Sequence, residues 1–210
     1  MIVSVVSQKG GTGKSSIARS LSLEFQRAGW SVLLADLDTG QKTSVRWAEK
    51  RKPAGSSIPQ IDAQAFPTAD KAIRASQQYQ VTIIDGAPHA TRSTRGAATA
   101  SDLVIIPTGS SIDDLSPGVA LANELTNSLN SENIVFALYK TTSQAQERES
   151  RETLESAGFH VLASSVPIKT GYIEALDKGF GITESRYDAL NKTASQFIQS
   201  IADRIKETTT

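Results

Sequence analysis

The run Lys9-Gly10-Gly11-Thr12-Gly13-Lys14-Ser15-Ser16 concentrates three glycines, two lysines and three hydroxyls in eight residues. Successive glycines let backbone N–H groups turn inward around phosphate oxygens. A lysine can then reach the β- and γ-phosphates of a nucleotide, and a hydroxyl can ligate Mg²⁺. Gly10, Gly11, Gly13, Lys14 and Ser15 supply all three requirements. The strict phosphate-loop pattern G-x-x-x-x-G-K-[ST] is not met, because Gln8 stands where its first glycine would be. A second lysine, Lys9, occupies the mouth of the loop instead.

Two acidic segments add to this chemistry. Leu34-Ala35-Asp36-Leu37-Asp38 puts two carboxylates at the carboxyl end of an apolar run, one able to orient water and the other to help hold Mg²⁺ through water. Regular winding would bring that run beside the phosphate-loop strand. Val81-Thr82-Ile83-Ile84-Asp85-Gly86-Ala87-Pro88 is an apolar strand closed by Asp85. Such an aspartate can accept from magnesium-bound water, while Gly86 lets backbone approach a γ-phosphate. A loop, a metal-directed acid and a water-directed acid together make a phosphoryl-transfer set.

The elements that must position these groups are legible in the periodicity. Short apolar runs rich in β-branched residues recur at Ile2 to Val6, Val32 to Ala35, Val81 to Ile84, Leu103 to Ile106, Ile134 to Leu138 and His160 to Leu162. Their nearly continuous apolar character suits strands covered on both faces. Between them lie helix-period segments, the clearest being Ser15 to Ala28, which carries Ile17, Ala18, Leu21 and Phe25 on one stripe and stops at Gly29. The alternation predicts an α/β fold, a doubly wound, mostly parallel sheet flanked by helices, with ligands beyond the carboxyl ends of the strands. Ile106-Pro107-Thr108-Gly109-Ser110 ends at that same edge. Lys52 to Gln60 reads as a surface loop, and Tyr187 to Ile205 as an amphipathic helix followed by a frayed end.

Composition narrows the function classes. The chain has 210 residues, which at about 150 per domain favours one domain over residues 1–210. Its 22 Lys and Arg cancel 22 Asp and Glu, so any nucleic-acid or acidic-membrane affinity must come from a local patch. The absence of cysteine removes disulfides, Cys-zinc sites, iron–sulfur clusters and thiolate nucleophiles. A mean hydropathy of -0.24, with no charged leader before Ile2 and no apolar run of about 18 residues, predicts a cytoplasmic chain.

The run KGGTGKS resembles the deviant Walker A motif of the ParA/MinD family of P-loop ATPases. The resemblance implies ATP and Mg²⁺ as cofactors, bound by Gly10, Gly11, Thr12, Gly13, Lys14, Ser15 and Ser16, with Asp85 and Gly86 in a second switch. It makes Lys9 the signature lysine that reaches across an ATP-sandwiched homodimer, Lys14 the ordinary Walker lysine, and Asp38 the residue on the attacking water. Ser15, Asp38 and Asp85 would serve the metal, and Pro167, within Val166-Pro167-Ile168-Lys169, the adenine. The chain departs from the family's Asp-x-Asp-Pro-Gln segment by reading Asp38-Thr39-Gly40-Gln41, with no proline and one extra residue.

The resemblance identifies the engine better than its cargo. The partition branch implies nonspecific DNA binding by the ATP dimer, for which Lys169, Lys178 and Arg186 are the candidate residues, a nucleoid location, and a ParB-like centromere- or cargo-binding stimulator. Lys42, Arg46, Lys50, Arg51 and Lys52 form another basic run. Because Met1 opens the first strand, no operator-binding extension is expected. The tail helix mixes acids with its bases, so a membrane role is not expected. Alternatives are a protein cargo, a conjugation accessory, or a nucleotide-dependent scaffold with negligible hydrolysis. His89 could touch a partner, and His160 is expected to be structural.

Overall fold

A computed structural model describes residues 1–51, 59–88 and 92–209. Lys52, His89 and most of the anticipated Lys52–Gln60 loop lie outside the described residues. Eight strands are present among the described residues: β1 (Ile2–Val5), β2 (Val32–Asp36), β3 (Asp62–Ala65), β4 (Val81–Asp85), β5 (Leu103–Thr108), β6 (Ile134–Thr141), β7 (His160–Val161) and β8 (Val166–Pro167). They form one sheet in the order β3-β2-β4-β1-β5-β6-β7, with β8 paired to the far end of β6, and every pairing is parallel. The helices are α1 (Lys14–Arg27), α2 (Thr43–Arg51), α3 (Ala69–Ser76), α4 (Arg92–Thr99), α5 (Ile112–Leu125), α6 (Gln144–Ser156), α7 (Thr170–Asp177) and α8 (Asp188–Thr209).

The period-2 geometry of the strands sorts their apolar residues onto two faces. Val3, Val5, Leu34, Ile83 and Ile105 pack against α1, α2, α7 and α8, with Ile17, Leu21, Trp47, Tyr172 and Phe197 among the contacts. Val104, Ile106 and Phe136 pack against α4, α5 and α6. Leu33, Ala35 and Ile84 pack against α3 and α4. Burial on both faces explains why these strands read as continuous apolar runs. The tail stripe Ala194, Phe197, Ile198, Ile201 and Ile205 is buried in the first of these layers, and the helix runs on to Thr209 instead of fraying at Lys206. No helix among the described residues is long and apolar enough to cross a membrane.

Two departures from the sequence-based expectation bear on the site. β2 does not lie beside β1, because β4 is inserted between them, so that Asp36 and Asp85 become cross-strand partners. Strand β3 was not anticipated. Its sequence, Asp-Ala-Gln-Ala, has no β-branched residue, and as an edge strand paired only with β2 it is partly exposed along its whole length.

Candidate functional site

The strand order brings the loop after β1 and the ends of β2 and β4 to one edge of the sheet. In the loop, Ser7 Oγ accepts from the Lys9 N–H at 3.1 Å, and Lys140 Nζ donates to the Gly11 carbonyl at 2.9 Å. Gly11 (φ 77°) and Gly13 (φ 105°) adopt the left-handed conformation that glycine tolerates. A Cβ on Gly13 would sit 2.3 Å from the Tyr139 ring, so that position excludes side chains twice over. Around Gly10 and Gly11 the space is open. Gly13 caps α1 without any side-chain hydrogen bond, leaving the first-turn N–H groups and their partial positive charge for an anion.

The two lysines have opposite surroundings. Lys14 is buried, and among the described residues its Nζ has only a long 3.5 Å contact, to the Lys9 carbonyl. Burial pushes its pKa below the usual lysine value, while Asp85 and then Asp38 pull it back up. A buried ammonium held this loosely is an arrangement that phosphate oxygens would complete. Lys9 is half exposed and bonds Asp114 Oδ1 at 2.5 Å and the Asp113 carbonyl at 3.3 Å, at the start of α5. Partial burial alone would raise the Asp114 carboxyl, but hydrogen bonds from Lys9 and Ser111 and the Lys9 charge hold it below the usual range.

The two carboxylates of the Asp36/Asp38 pair are held in different ways. Asp36 is fully buried, with Oδ1 accepting from the Asp38 N–H and Oδ2 from the Ser44 N–H, both at 2.9 Å. Both of its oxygens anchor the loop between β2 and α2. Asp38 Oδ1 accepts from the N–H groups of Gly40 (3.2 Å) and Gln41 (2.9 Å), closing a turn that absorbs the extra residue. Gln41 is exposed in consequence. Ser15 Oγ lies 3.3 Å from Thr43 Oγ1, and Gly86 packs so tightly that an added Cβ would sit 2.9 Å from the Val5 carbonyl.

Asp85 is buried, its Oδ2 accepts from Ser44 Oγ at 2.6 Å, the Ser15 hydroxyl also bears on the carboxyl, and Oδ1 meets no donor in hydrogen-bonding geometry among the described residues. Burial pushes its carboxyl up to about 6; the Ser44 bond opposes this, Asp36 adds to it, and Ser15 and Arg19 oppose it. The ligand-free protein thus holds the Asp85 proton more tightly than the unfolded chain does. Its contribution to stability is complete below the ordinary carboxylate range and is lost as pH rises through about 6. Asp85→Asn is expected to remove that slope and raise ligand-free stability near neutral pH by about 2–3 kcal/mol. Denaturant unfolding of both proteins across this pH range checks it, and parallel stability profiles would refute it.

Beside the loop, a cavity of about 330 Å³ is walled by Ser16, Arg19, Tyr139, Lys140, Pro167 and Lys169. Pro167 and Lys169 therefore come to the phosphate-loop side. Lys178 and Arg186 instead line a separate cleft with Glu174 and Glu184, where Arg186 pairs with Glu174 at 3.4 Å and stacks on Tyr187. Arg51 of the basic run is no surface cation, being fully buried against Glu184. His160 opens β7 and pairs with Glu132. Arg19, Thr43, Ser44, Asp114 and Lys140 were not anticipated at the site. Only the small polar pair Thr43-Ser44 at the start of α2 gave a sequence signal, as helix-start residues. No cluster of three or more His, Asp or Glu that could cage a metal occurs among the described residues.

Comparison with known proteins agrees with this geometry. The CobQ/CobB/MinD/ParA nucleotide binding domain matches residues 3–181. Protein ParA of Rhizobium radiobacter is 32% identical over 110 residues, which is 50% of this chain and 47% of that protein, so the match spans about half of each. A Borrelia burgdorferi plasmid partition protein bound to AMPPNP superposes with a TM-score of 0.71 at 16% identity, covering 97% of this chain and 98% of that one. The septum site-determining protein MinD of Pyrococcus horikoshii, complexed with Mg-ADP, superposes with a TM-score of 0.71 at 17% identity, covering 96% and 94%. With the match running across most of the chain, and the phosphate loop, Asp38 and Asp85 gathered at one sheet edge, this protein belongs to the CobQ/CobB/MinD/ParA family of nucleotide-binding domains.

Proposed function

We propose that the chain is a single-domain, magnesium-dependent ATPase of the ParA type, which forms an ATP-sandwich dimer, binds DNA nonspecifically and positions a plasmid or other cargo. The observation that carries this reading is one phosphate loop bearing two lysines, Lys14 buried at its base and Lys9 at its rim, with Asp38 and Asp85 at neighbouring strand ends. The Mg-ADP and AMPPNP complexes of similar folds support the choice of ligand.

In this reading Gly10 to Gly13 and the α1 N-terminus surround the phosphates, Lys14 neutralises them, and the adenosine lies toward Ser16 and Pro167. Ser15, Asp38 and Asp85 would hold Mg²⁺, with the buried, unpartnered Asp85 Oδ1 the oxygen available to its water shell once the site is filled. When bound, the metal withdraws charge from the β- and γ-phosphate oxygens. Asp38 orients a water whose oxygen bonds to the γ-phosphorus as the bridging bond to ADP breaks, the water's proton passing to an oxygen of the released phosphate, leaving ADP and phosphate. Lys9, released from Asp114, would reach the nucleotide of the second copy. Lys169, Lys178 and Arg186 are the proposed DNA residues, a ParB-like protein the stimulator, and the nucleoid the location of the ATP-bound form.

A second reading, a nucleotide-dependent scaffold that hydrolyses negligibly, is favoured by one observation: Asp38 Oδ1 is already engaged by two backbone N–H groups. Light scattering on a size-exclusion column separates these readings. With ATP and Mg²⁺ the wild type is expected to dimerise and then to bind duplex DNA with a steep salt dependence. Lys9→Ala is expected to stay monomeric while still binding ADP. A wild type that remains monomeric with ATP defeats the sandwich reading. A dimer without ATP turnover, whether or not DNA is added, selects the scaffold.

A further inference from the structure

Ser44 is fully buried where α2 begins, and three groups converge on it. Its backbone N–H donates to Asp36 Oδ2 at 2.9 Å. Its hydroxyl oxygen lies 3.1 Å from Arg19 Nε and 2.6 Å from Asp85 Oδ2. A guanidinium can only donate, so Arg19 N–H must point at the serine oxygen. The single hydroxyl hydrogen is then left for the carboxylate. The polarity of the chain is fixed as Arg19 to Ser44 to Asp85, without any choice of rotamer.

That directionality has a consequence at the other carboxylate oxygen. Asp85 Oδ2 is the occupied acceptor, and Oδ1 is the buried oxygen that meets no donor in hydrogen-bonding geometry among the described residues. Arg19 is itself fixed, its guanidinium carbon 5.9 Å from the centre of the Trp47 ring on α2. We infer that Arg19 and Ser44 are positioning residues for magnesium: the relay selects which Asp85 oxygen stays open for the metal's water shell, and so sets the Mg²⁺ affinity of the nucleotide complex. The inference rests on the magnesium–nucleotide reading above. Neither residue belongs to the phosphate loop or to the acidic segments, and Arg19, which also walls the cavity beside the loop, acts on the metal through Ser44.

Calorimetric titration of ADP, with Mg²⁺ present at graded concentrations and with Mg²⁺ removed by chelation, tests it. Ser44→Ala and, independently, Arg19→Met are expected to weaken the apparent Mg²⁺ affinity about tenfold, the lower end of what loss of an outer-shell partner costs. For Ser44→Ala, ADP affinity under chelation is expected to stay at the wild-type value, because Ser44 lines neither the phosphate loop nor the cavity beside it. Ser44→Thr, which keeps the hydroxyl, is expected to restore Mg²⁺ affinity. Thermal melts establish that each variant is folded. If folded Ser44→Ala and Arg19→Met both retain wild-type Mg²⁺ affinity, the relay has no such role. If wild-type ADP binding is itself indifferent to Mg²⁺, the underlying reading fails and this inference with it.

Discussion

Asp38→Ala is expected to slow ATP turnover about 10²–10⁴-fold, the range for loss of a positioned acid–base group, while ADP binding persists. The carboxylate has two separable tasks. Its Oδ1 closes the Gly40–Gln41 turn, and its charge acts on the Lys14 ammonium. Asn at this position keeps an acceptor for the turn and discards the charge. If the charge directs the water, Asp38→Asn will be as slow as Asp38→Ala; if holding the turn is what matters, it will retain most of the rate. Phosphate release at saturating ATP measures both. A rate within about threefold of wild type for Asp38→Ala would remove it from the reaction, since a positioned acid–base group is worth far more.

Arg51→Ala is expected to cost about 3–5 kcal/mol of stability, the loss typical when one partner of a buried ion pair is deleted. The Arg51 side chain is fully buried, and its guanidinium bonds both Glu184 oxygens at 2.7 and 2.8 Å, the Gly179 carbonyl at 3.0 Å and the Pro59 carbonyl at 2.7 Å. Glu184 also accepts from Arg27 and from the Gly181 N–H. Truncation would leave a mostly buried carboxylate short of its main countercharge and two carbonyls short of donors. Replacing the pair by apolar residues, Arg51→Met with Glu184→Leu, is expected to recover part of the loss, because the pair's desolvation cost disappears with it. Urea unfolding of the wild type and the two variants decides. A loss below about 1 kcal/mol for Arg51→Ala would mean the pair behaves like a solvated surface bridge.

The phosphate loop was readable because its chemistry demands particular residue types at contiguous positions, so Gly11, Gly13, Lys14 and Ser15 announce themselves. The covered strands were readable for a similar reason, since burial on both faces enforces apolar runs. Strand β3 was not, because an edge strand with one partner can be built from Asp, Ala and Gln. The neighbour of Asp36 was misjudged because strand order is set by crossovers, which leave no mark in local periodicity. Arg19, Ser44 and Lys140 escaped for the same reason: each meets its partner only across elements. Arg51 looked like part of a basic surface run, and only its acidic partner, 133 residues away, reveals it as interior.

The chain has two tryptophans, and the fold gives them contrasting surroundings. Trp30 is 42% exposed just beyond α1, whereas Trp47 is 2% exposed on α2, with its indole N–H on the Phe180 carbonyl and Arg19 and Arg51 both within 6 Å of its ring centre. A collisional quencher in solution reaches the first and not the second. The emission that survives quenching therefore belongs to the helix whose first turn contacts Ser15 and Asp85, and the native chain carries an optical reporter of its own loop-to-helix junction without any added dye.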